Sequence, residues 1–373
     1  MAATPSDFFK TNRTASEIKA ELLPSFFEVW ATVMLQHAGA SERLLRCIDL
    51  QAGLDLNESS PAVMQLLRQV YKSTGSRTDL NKGMGLMLYD ADTYTLTELQ
   101  ERVAQLPFYQ DLVNLPVFLQ EESEEAPMER LLTDQPSFAF LDPTQEGIPQ
   151  QFLLHAIQKS EADLLMLFSP KALETAVKKA RAESQLQEIF AERLEAIRVF
   201  YKQNRNADRR EEYLLDCFEG IFRGKDFYTL RFRINLTDKR QTSQYLVFSV
   251  KSEQVYLRLK ELLERYSDYQ EDGVPLFGAN LQAQQMSLFH EHYRYAVARL
   301  AQELLADAGT YNNRTLQHIY EQHSLGTHYT LANYQIAYER LMRQGLVRFI
   351  NPKTGQPVTK LTAASLIRYS LRK

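Results

Sequence analysis

Between residues 44 and 170 short apolar runs alternate with stretches of helical periodicity, and no other feature restricts the possible folds of this chain so tightly. The runs are LLRCIDLQAG at 44–53, GLMLYDAD at 85–92, a short segment near Val117, SFAFLDP at 137–143 and DLLMLFSP at 163–170. Near-continuous apolar strands are buried on both faces, as parallel strands are once crossover helices cover them. Helices are predicted at about 61–71, 95–106 and 149–158, the second capped by Thr95 or Thr97. The alternation predicts an α/β fold class with a doubly wound parallel sheet, the strand at 45–50 at its centre and the strand at 137–142 beside it. Such a sheet binds ligands at the carboxyl ends of its strands.

The flanks extend this plan. Residues 15–38 read as an amphipathic helix around Leu22, Phe26, Phe27, Trp30, Val33 and Met34, with Pro24 dividing it or sitting in its first turn. Residues 172–222 are helical and charge-mixed, the pattern of a solvated face. FYTLRFRINL at 227–236 and SQYLVFSV at 243–250 alternate apolar and polar residues, which suggests an antiparallel pair added to the same sheet. The Gly, Pro and polar mixture at 268–285 marks a linker. The predicted organisation is an α/β domain over 1–267, a linker over 268–285 and a smaller basic domain over 286–373.

A length of 373 residues fits two domains, and 44% hydrophobic with 24% charged residues lies in the globular range. No apolar run reaches membrane-spanning length, and the start MAATPSDFFKTNRT lacks the regions of a signal peptide, so the cytoplasm is the expected compartment. Cys47 and Cys217 belong to no zinc spacing and are expected to be reduced packing residues. His290 and His292, two apart, do not share a helix face, and His318, His323 and His328 show no ligand spacing, so no metal site is expected. No GxSxG, Walker loop or Cys/His nucleophile pattern occurs, which removes the hydrolase readings.

The net charge of −4 hides a local inversion. From Ala296 onward ten Lys or Arg stand against four Asp or Glu, leaving six positive charges in excess. Helices are expected near 286–306, 313–321 and 331–343, followed by LVRFINPKTGQPVTKLT, a two-stranded wing closed by the turn PKTG. In the last helix Leu331, Tyr334, Ala337, Tyr338 and Leu341 repeat at core spacing. Asn333, Gln335, Arg340 and Arg343 are left for the other face, residue types that contact phosphates and base edges. The pattern resembles winged-helix domains, with Arg340 and Arg343 on the helix and Arg348, Lys353 and Lys360 on the wing as candidate nucleic-acid contacts. Protein docking or dimerisation is the alternative use of this module.

Three motifs carry a second resemblance: the strand and loop CIDLQAG, the DP turn in FAFLDPTQEGIP, and the late strand pair FRIN and YLVFSV followed by a helix. Over roughly 15–265 the chain resembles the three-Cys-motif partner proteins, a family with a Rossmann-like, S-adenosylmethionine-dependent methyltransferase fold. Asp49, Ala52 and Gly53 match the family's first strand-end motif, and Asp142 and Pro143, followed by Gly147, match the later one. The resemblance implies that Asp49 binds the methionine amino group of S-adenosylmethionine, with Ala52 and Gly53 giving close backbone approach. Asp90, which ends the second strand, is placed to accept from ribose hydroxyls, or is a solvated loop carboxylate. Asp142 and Pro143 would face the transferred methyl group. Three positions depart from the pattern: Leu54 and Asp55 stand where Pro-Gly would continue, and Gln51 replaces an aromatic residue. The resemblance also implies a partner protein bearing three cysteines, of iron–sulfur type. The two resemblances together imply one of two functions: a methyltransferase-like enzyme acting on or at nucleic acid, or a domain of that fold that has lost catalysis and recruits a partner to nucleic acid as a scaffold or sensor.

Overall fold

The computed structural model describes residues 5–37, 44–119, 131, 135–159, 162–235, 243–280 and 294–370. Two compact units divide the chain, Thr11–Leu262 and Leu263–Lys373 together with Met1–Lys10. The acidic stretch EESEEAPMER, the polar segment between the two late strands, His290 and His292 lie outside the described residues. Among the described residues no helix is long and apolar enough to cross a membrane.

The larger unit opens with helix α1 (Ala15–His37). Thr14 caps it reciprocally: the Glu17 amide donates to the Thr14 hydroxyl while the Thr14 amide donates to the Glu17 carboxylate. Pro24 neither divides this helix nor sits in its first turn; it lies in the interior. A proline there leaves the carbonyl four residues back without a donor. The vacancy is filled from outside, the Gln65 side-chain amide donating to the Ala20 carbonyl at 2.8 Å.

Seven strands follow: β1 (Leu45–Asp49), β2 (Met84–Tyr89), β3 (Val117–Leu119), β4 (Ser137–Leu141), β5 (Ala162–Phe168), β6 (Tyr228–Ile234) and β7 (Gln244–Val250). They lie in the order β3-β2-β1-β4-β5-β7-β6. The first five are parallel, and β7 runs antiparallel to both β5 and β6. Crossovers are made by α2 (Ala62–Lys72), α3 (Thr93–Ala104) and α4 (Ile148–Lys159), while α5 (Pro170–Lys179), α6 (Gln185–Phe190), α7 (Glu192–Gln203) and α8 (Ala207–Arg223) lead from β5 to β6. Helix α9 (Glu253–Glu264) follows β7. Every residue of β4 and β5 is buried, as continuous apolar runs require of central strands. This is the doubly wound α/β sheet that the alternation predicts.

Two local expectations change. The cap of α3 is Asp92, whose side chain accepts from the Tyr94 amide, and the helix therefore starts ahead of Thr95 and Thr97. The charge of 172–222 is not all solvated either: Glu219 of α8 is buried and meets Arg231 of β6 at 3.2 Å. Cys47 is buried in β1 and Cys217 is half-buried on α8, both as free thiols.

In the smaller unit Phe9 packs its ring against Tyr266, and the Asn280 side chain donates to the Phe9 carbonyl at 2.6 Å. Residues 268–280 form a hydrogen-bonded turn region with a two-residue strand β8 (Gly278–Ala279), and Val274 and Phe277 are buried. Helices α10 (Val297–Ala306), α11 (Leu316–His323) and α12 (Leu331–Arg343) follow. The Asp272 carboxylate accepts the first amide of α10, from Val297, at 2.8 Å. Strands β9 (Arg314–Thr315), β10 (Val347–Ile350), β11 (Pro357–Val358) and β12 (Leu366–Tyr369) form an antiparallel sheet in the order β11-β10-β12-β9. Strands β10 and β11 are the expected pair; β12 and β9 complete the sheet beyond it. The Tyr369 hydroxyl donates to the Leu304 carbonyl at 2.9 Å and meets the Tyr338 hydroxyl at 2.8 Å, tying β12 to α10 and α12.

One buried carboxylate fixes the amino end of the larger sheet. Asp163 of β5 accepts from Trp30 Nε1 of α1 and from the Lys251 amide, each at 2.8 Å. Burial raises its pKa from 3.8 to about 6 despite both donors. The folded state therefore holds this proton more tightly than the unfolded one, and the stability so gained is complete below 3.8 and lost as pH rises through 6. Denaturant unfolding across pH 4 to 8 should show a component of about 3 kcal/mol that fades over this window. Asp163→Asn should remove that component while leaving the rest of the pH profile in place.

Candidate functional site

The sheet reverses its winding between β1 and β4, the place where doubly wound sheets bind ligands at the carboxyl ends of their strands. The register places the candidate residues around it. Asp49 pairs with Leu88 of β2 and Phe140 of β4, so Asp90 and Asp142 each lie two residues beyond a partner of Asp49. The parallel strands thus bring Asp49, Asp90 and Asp142 to one edge.

At that edge the first loop is closed on itself. Asp49 is fully buried, its Oδ1 accepting from the Gln51 amide at 3.0 Å and its Oδ2 lying 2.7 Å from Lys19 Nζ. Lys19 comes from α1 and is buried as well. It also meets Asp55 Oδ1 at 3.0 Å and donates to the Gln51 carbonyl at 2.6 Å. Asp55, the residue in a glycine position of the resembled motif, makes a further contact through Oδ2, which accepts from the Ala62 amide at the start of α2 at 2.5 Å. By sequence Asp55 is only an added negative charge; in the structure it is a shared partner of Lys19 and a helix cap. Two carboxylates and one ammonium leave one negative charge in excess. Burial first, and the neighbouring Asp55, hold the Asp49 carboxyl above the usual carboxylate range although Lys19 opposes this, while the two carboxylates keep Lys19 protonated against its own burial.

Gly53 and Asp90 are brought together directly. The Gly53 amide donates to Asp90 Oδ2 at 2.9 Å, and Asp90 Oδ1 accepts from the Asp92 amide at 3.0 Å. A Cβ on Gly53 would lie 2.2 Å from Thr95 Cγ2 and 3.0 Å from Asp90 Oδ2, so only glycine allows this approach of loop to strand end. Ala52 is buried with its amide on the Tyr89 carbonyl at 2.9 Å. Asp142, on the other flank of β1, is half-buried: its Oδ1 accepts from the amide and the hydroxyl of Thr144, both at 2.7 Å. No hydrogen bond among the described residues joins it to the Asp49 loop. Burial raises its pKa against those two donors. Pro143 is buried behind it, its carbonyl accepting from Gln150. A cavity of about 650 Å³ lined by Leu44, Gly85, Met87, Val113, Leu115 and Val117 lies at the amino ends of β1 to β3, away from all of these residues.

The donor set tests whether a cofactor with a cationic amino group suits this edge. The excess negative charge of Asp49 and Asp55 fits such a group chemically, as do Asp49 Oδ2, Asp55 Oδ1 and Gln51 Oε1, which are buried with no hydrogen-bond donor among the described residues. Asp49 can receive it only if the Lys19 contact opens, because no part of the Asp49 side chain reaches solvent.

In the smaller unit Arg340, Arg343, Arg348, Lys353 and Lys360 are all exposed. Arg343 keeps a loose contact with Glu339 at 3.8 Å. Gln335 is half-buried. Asn333 is buried, contrary to its expected outward position: it closes a capping box with Thr330, and its Nδ2 donates to the Gly273 carbonyl at 2.8 Å. The outward face of α12 is instead Ala332, Ile336, Arg340 and Arg343. The β10–β12 register also sets Arg368 directly opposite Arg348, a pairing of like charges that only the strand alignment reveals.

Lys19 and Thr95 are the site residues that sequence reasoning missed. The signal for Lys19 was available, since it interrupts the apolar stripe three and four residues before Leu22 and Leu23. Removing one partner of a buried ion cluster leaves uncompensated charge. Lys19→Met should therefore lower unfolding free energy by about 3–5 kcal/mol in urea titrations. Asp55→Asn, whose single amide oxygen can keep the Lys19 or the Ala62 contact but not both, should cost about 1–3 kcal/mol.

No family model matches the chain, and no curated protein matches it. Solved structures similar to it include a magnesium protoporphyrin IX methyltransferase from Synechocystis PCC 6803 with bound SAH, 10% identical, covering 64% of this chain and 88% of that one with a TM-score of 0.30. A protein from Legionella pneumophila strain Philadelphia 1 is 11% identical, covering 66% and 92% with a TM-score of 0.33. The carbon methyltransferase of DszA is 9% identical, covering 66% and 57% with a TM-score of 0.34.

Proposed function

We propose that this chain is a methyltransferase-like protein working at nucleic acid, with S-adenosylmethionine as the ligand of the α/β unit. The observation that carries the reading is the strand order β3-β2-β1-β4-β5-β7-β6 with β7 alone reversed, which puts three carboxylates at the carboxyl edge of a methyltransferase-type sheet. S-adenosylmethionine, when bound, supplies an activated methyl group. The chain's own residues would do the rest. Asp49 offers the counter-charge for an amino group, Ala52 and Gly53 the backbone for close approach, and Asp90 the acceptor for ribose hydroxyls. Asp142, raised above the carboxylate range by burial, would hold or take a proton at the methyl acceptor, with Pro143 fixing the turn behind it.

The smaller unit would carry the substrate end. Three helices and an antiparallel sheet support a winged-helix reading, in which Arg340 and Arg343 approach the groove and Arg348, Lys353 and Lys360 approach phosphates. The second reading, a catalytically silent scaffold or sensor, is favoured by one observation: Lys19 is ion-paired with both Asp49 and Asp55 without any ligand. The three-cysteine partner protein remains part of either proposal, as the recruited component.

Calorimetry of the whole chain with S-adenosylmethionine tests the first reading. Binding in the micromolar range that Asp49→Ala and Asp90→Ala weaken supports it, and Asp142→Asn should then lower turnover while leaving affinity within about threefold. An absence of heat moves the conclusion to the scaffold. For the smaller unit, duplex affinity should fall with salt at a slope of roughly −3 to −4.5, as expected for three to five neutralised phosphates. Arg340→Ala with Arg343→Ala should weaken it; an unchanged affinity would point to protein docking.

A further inference from the structure

Lys19 lies at the carboxyl edge although no motif requires it there. Its ammonium has three N–H donors. One donates to the Gln51 carbonyl at 2.6 Å, the ammonium lies 2.7 Å from Asp49 Oδ2 and 3.0 Å from Asp55 Oδ1 as ion pairs, and the side chain is shut off from solvent. The loop from Asp49 to Asp55 therefore wraps an internal cation. Glycine at position 55 would offer neither the second carboxylate nor the acceptor for the Ala62 amide. A lysine on the buried face of a helix and an aspartate in a glycine position are thus two halves of one arrangement.

We infer that Lys19 supplies from within the chain the positive charge that a ligand's amino group brings to Asp49, so that Lys19 and such a ligand compete for one carboxylate. The inference rests on the cofactor reading above and deepens it. Asp55 makes the competition workable, because a Lys19 displaced from Asp49 keeps a carboxylate partner. The unliganded loop is held in place by the same contact, which makes the edge complete without cofactor and its affinity for cofactor low. Opening it requires the Gly53 amide to leave Asp90 only if the ligand also claims the ribose position; the amino-group competition stands apart from that contact.

The test uses the full chain and three proteins: wild type, Lys19→Ala, and Asp55→Asn. S-adenosylmethionine is titrated into each by calorimetry, and thermal unfolding is followed with S-adenosylmethionine or with methylammonium chloride against sodium chloride of equal strength. Lys19→Ala, which removes the ammonium and three methylenes from beside two carboxylates, should bind S-adenosylmethionine at least about tenfold more tightly than wild type. Its melting temperature should rise with either cation. Asp55→Asn, which leaves Lys19 with Asp49 as its only carboxylate, should bind more weakly than wild type. Equal affinities in all three proteins would overturn the competition while leaving the cofactor reading intact. Stabilisation of Lys19→Ala by methylammonium, with no binding of S-adenosylmethionine to any protein, would support the internal counter-cation and overturn the cofactor reading. Failure of both ligands on Lys19→Ala would overturn the inference outright. Should Lys19→Ala not fold, Asp55→Asn decides alone, since affinity equal to or above wild type contradicts a competing Lys19.

Discussion

Strand β1 is hydrogen-bonded in parallel to β2 on one side and to β4 on the other, and most of the larger unit follows from that double pairing. Parallel pairing demands crossover connections, and crossovers of one hand place helices on both faces. The strand at the centre must then be largely apolar, which Leu45, Cys47 and Ile48 meet, while Arg46 is only partly buried and Asp49 closes the strand. That last residue is a fully buried carboxylate with no access to water. An ionised group in this position needs a counter-charge. The chain delivers it from α1, so the helix that opens the unit is bound electrostatically to the strand that centres it.

The same geometry explains why the fold was legible and the site only partly so. Continuous apolar runs at β4 and β5 can be nothing but buried strands once helices of the right length separate them, and the late alternating pair reads as antiparallel from its period alone. The positions of Asp49, Gly53, Asp90 and Asp142 at strand ends follow with them. What does not follow is how these residues are used. Asp55 is hydrogen-bonded to an amide seven residues on and paired with a lysine thirty-six residues back, and nothing local in the sequence announces either contact. Asn333 shows the same limit: its spacing on α12 allows an outward position, yet the carbonyl that accepts from it lies sixty residues earlier.

Pro24 is a third case, in which a local rule holds but its compensation is remote. The ring removes one helix hydrogen bond as it must, and the helix continues because Gln65 supplies the missing donor. The fit between α1 and α2 is thereby specific as well as apolar, since sliding either helix by a turn would separate donor from acceptor. The helix that carries Lys19 is in this way held in register with the crossover that Asp55 caps.

The division of the chain also has a consequence in time. The first ten residues belong to the unit completed by Leu263–Lys373, and the Phe9 carbonyl finds its donor in Asn280. On a ribosome adding about 5–20 residues per second, the amino-terminal peptide is made roughly ten seconds to a minute before its partner exists. During that interval Phe8 and Phe9 have no ring of Tyr266 to cover them, and the α/β unit can fold as an insertion between two ends that have yet to meet. The order of synthesis thus completes the residues of the larger unit before those of the smaller one.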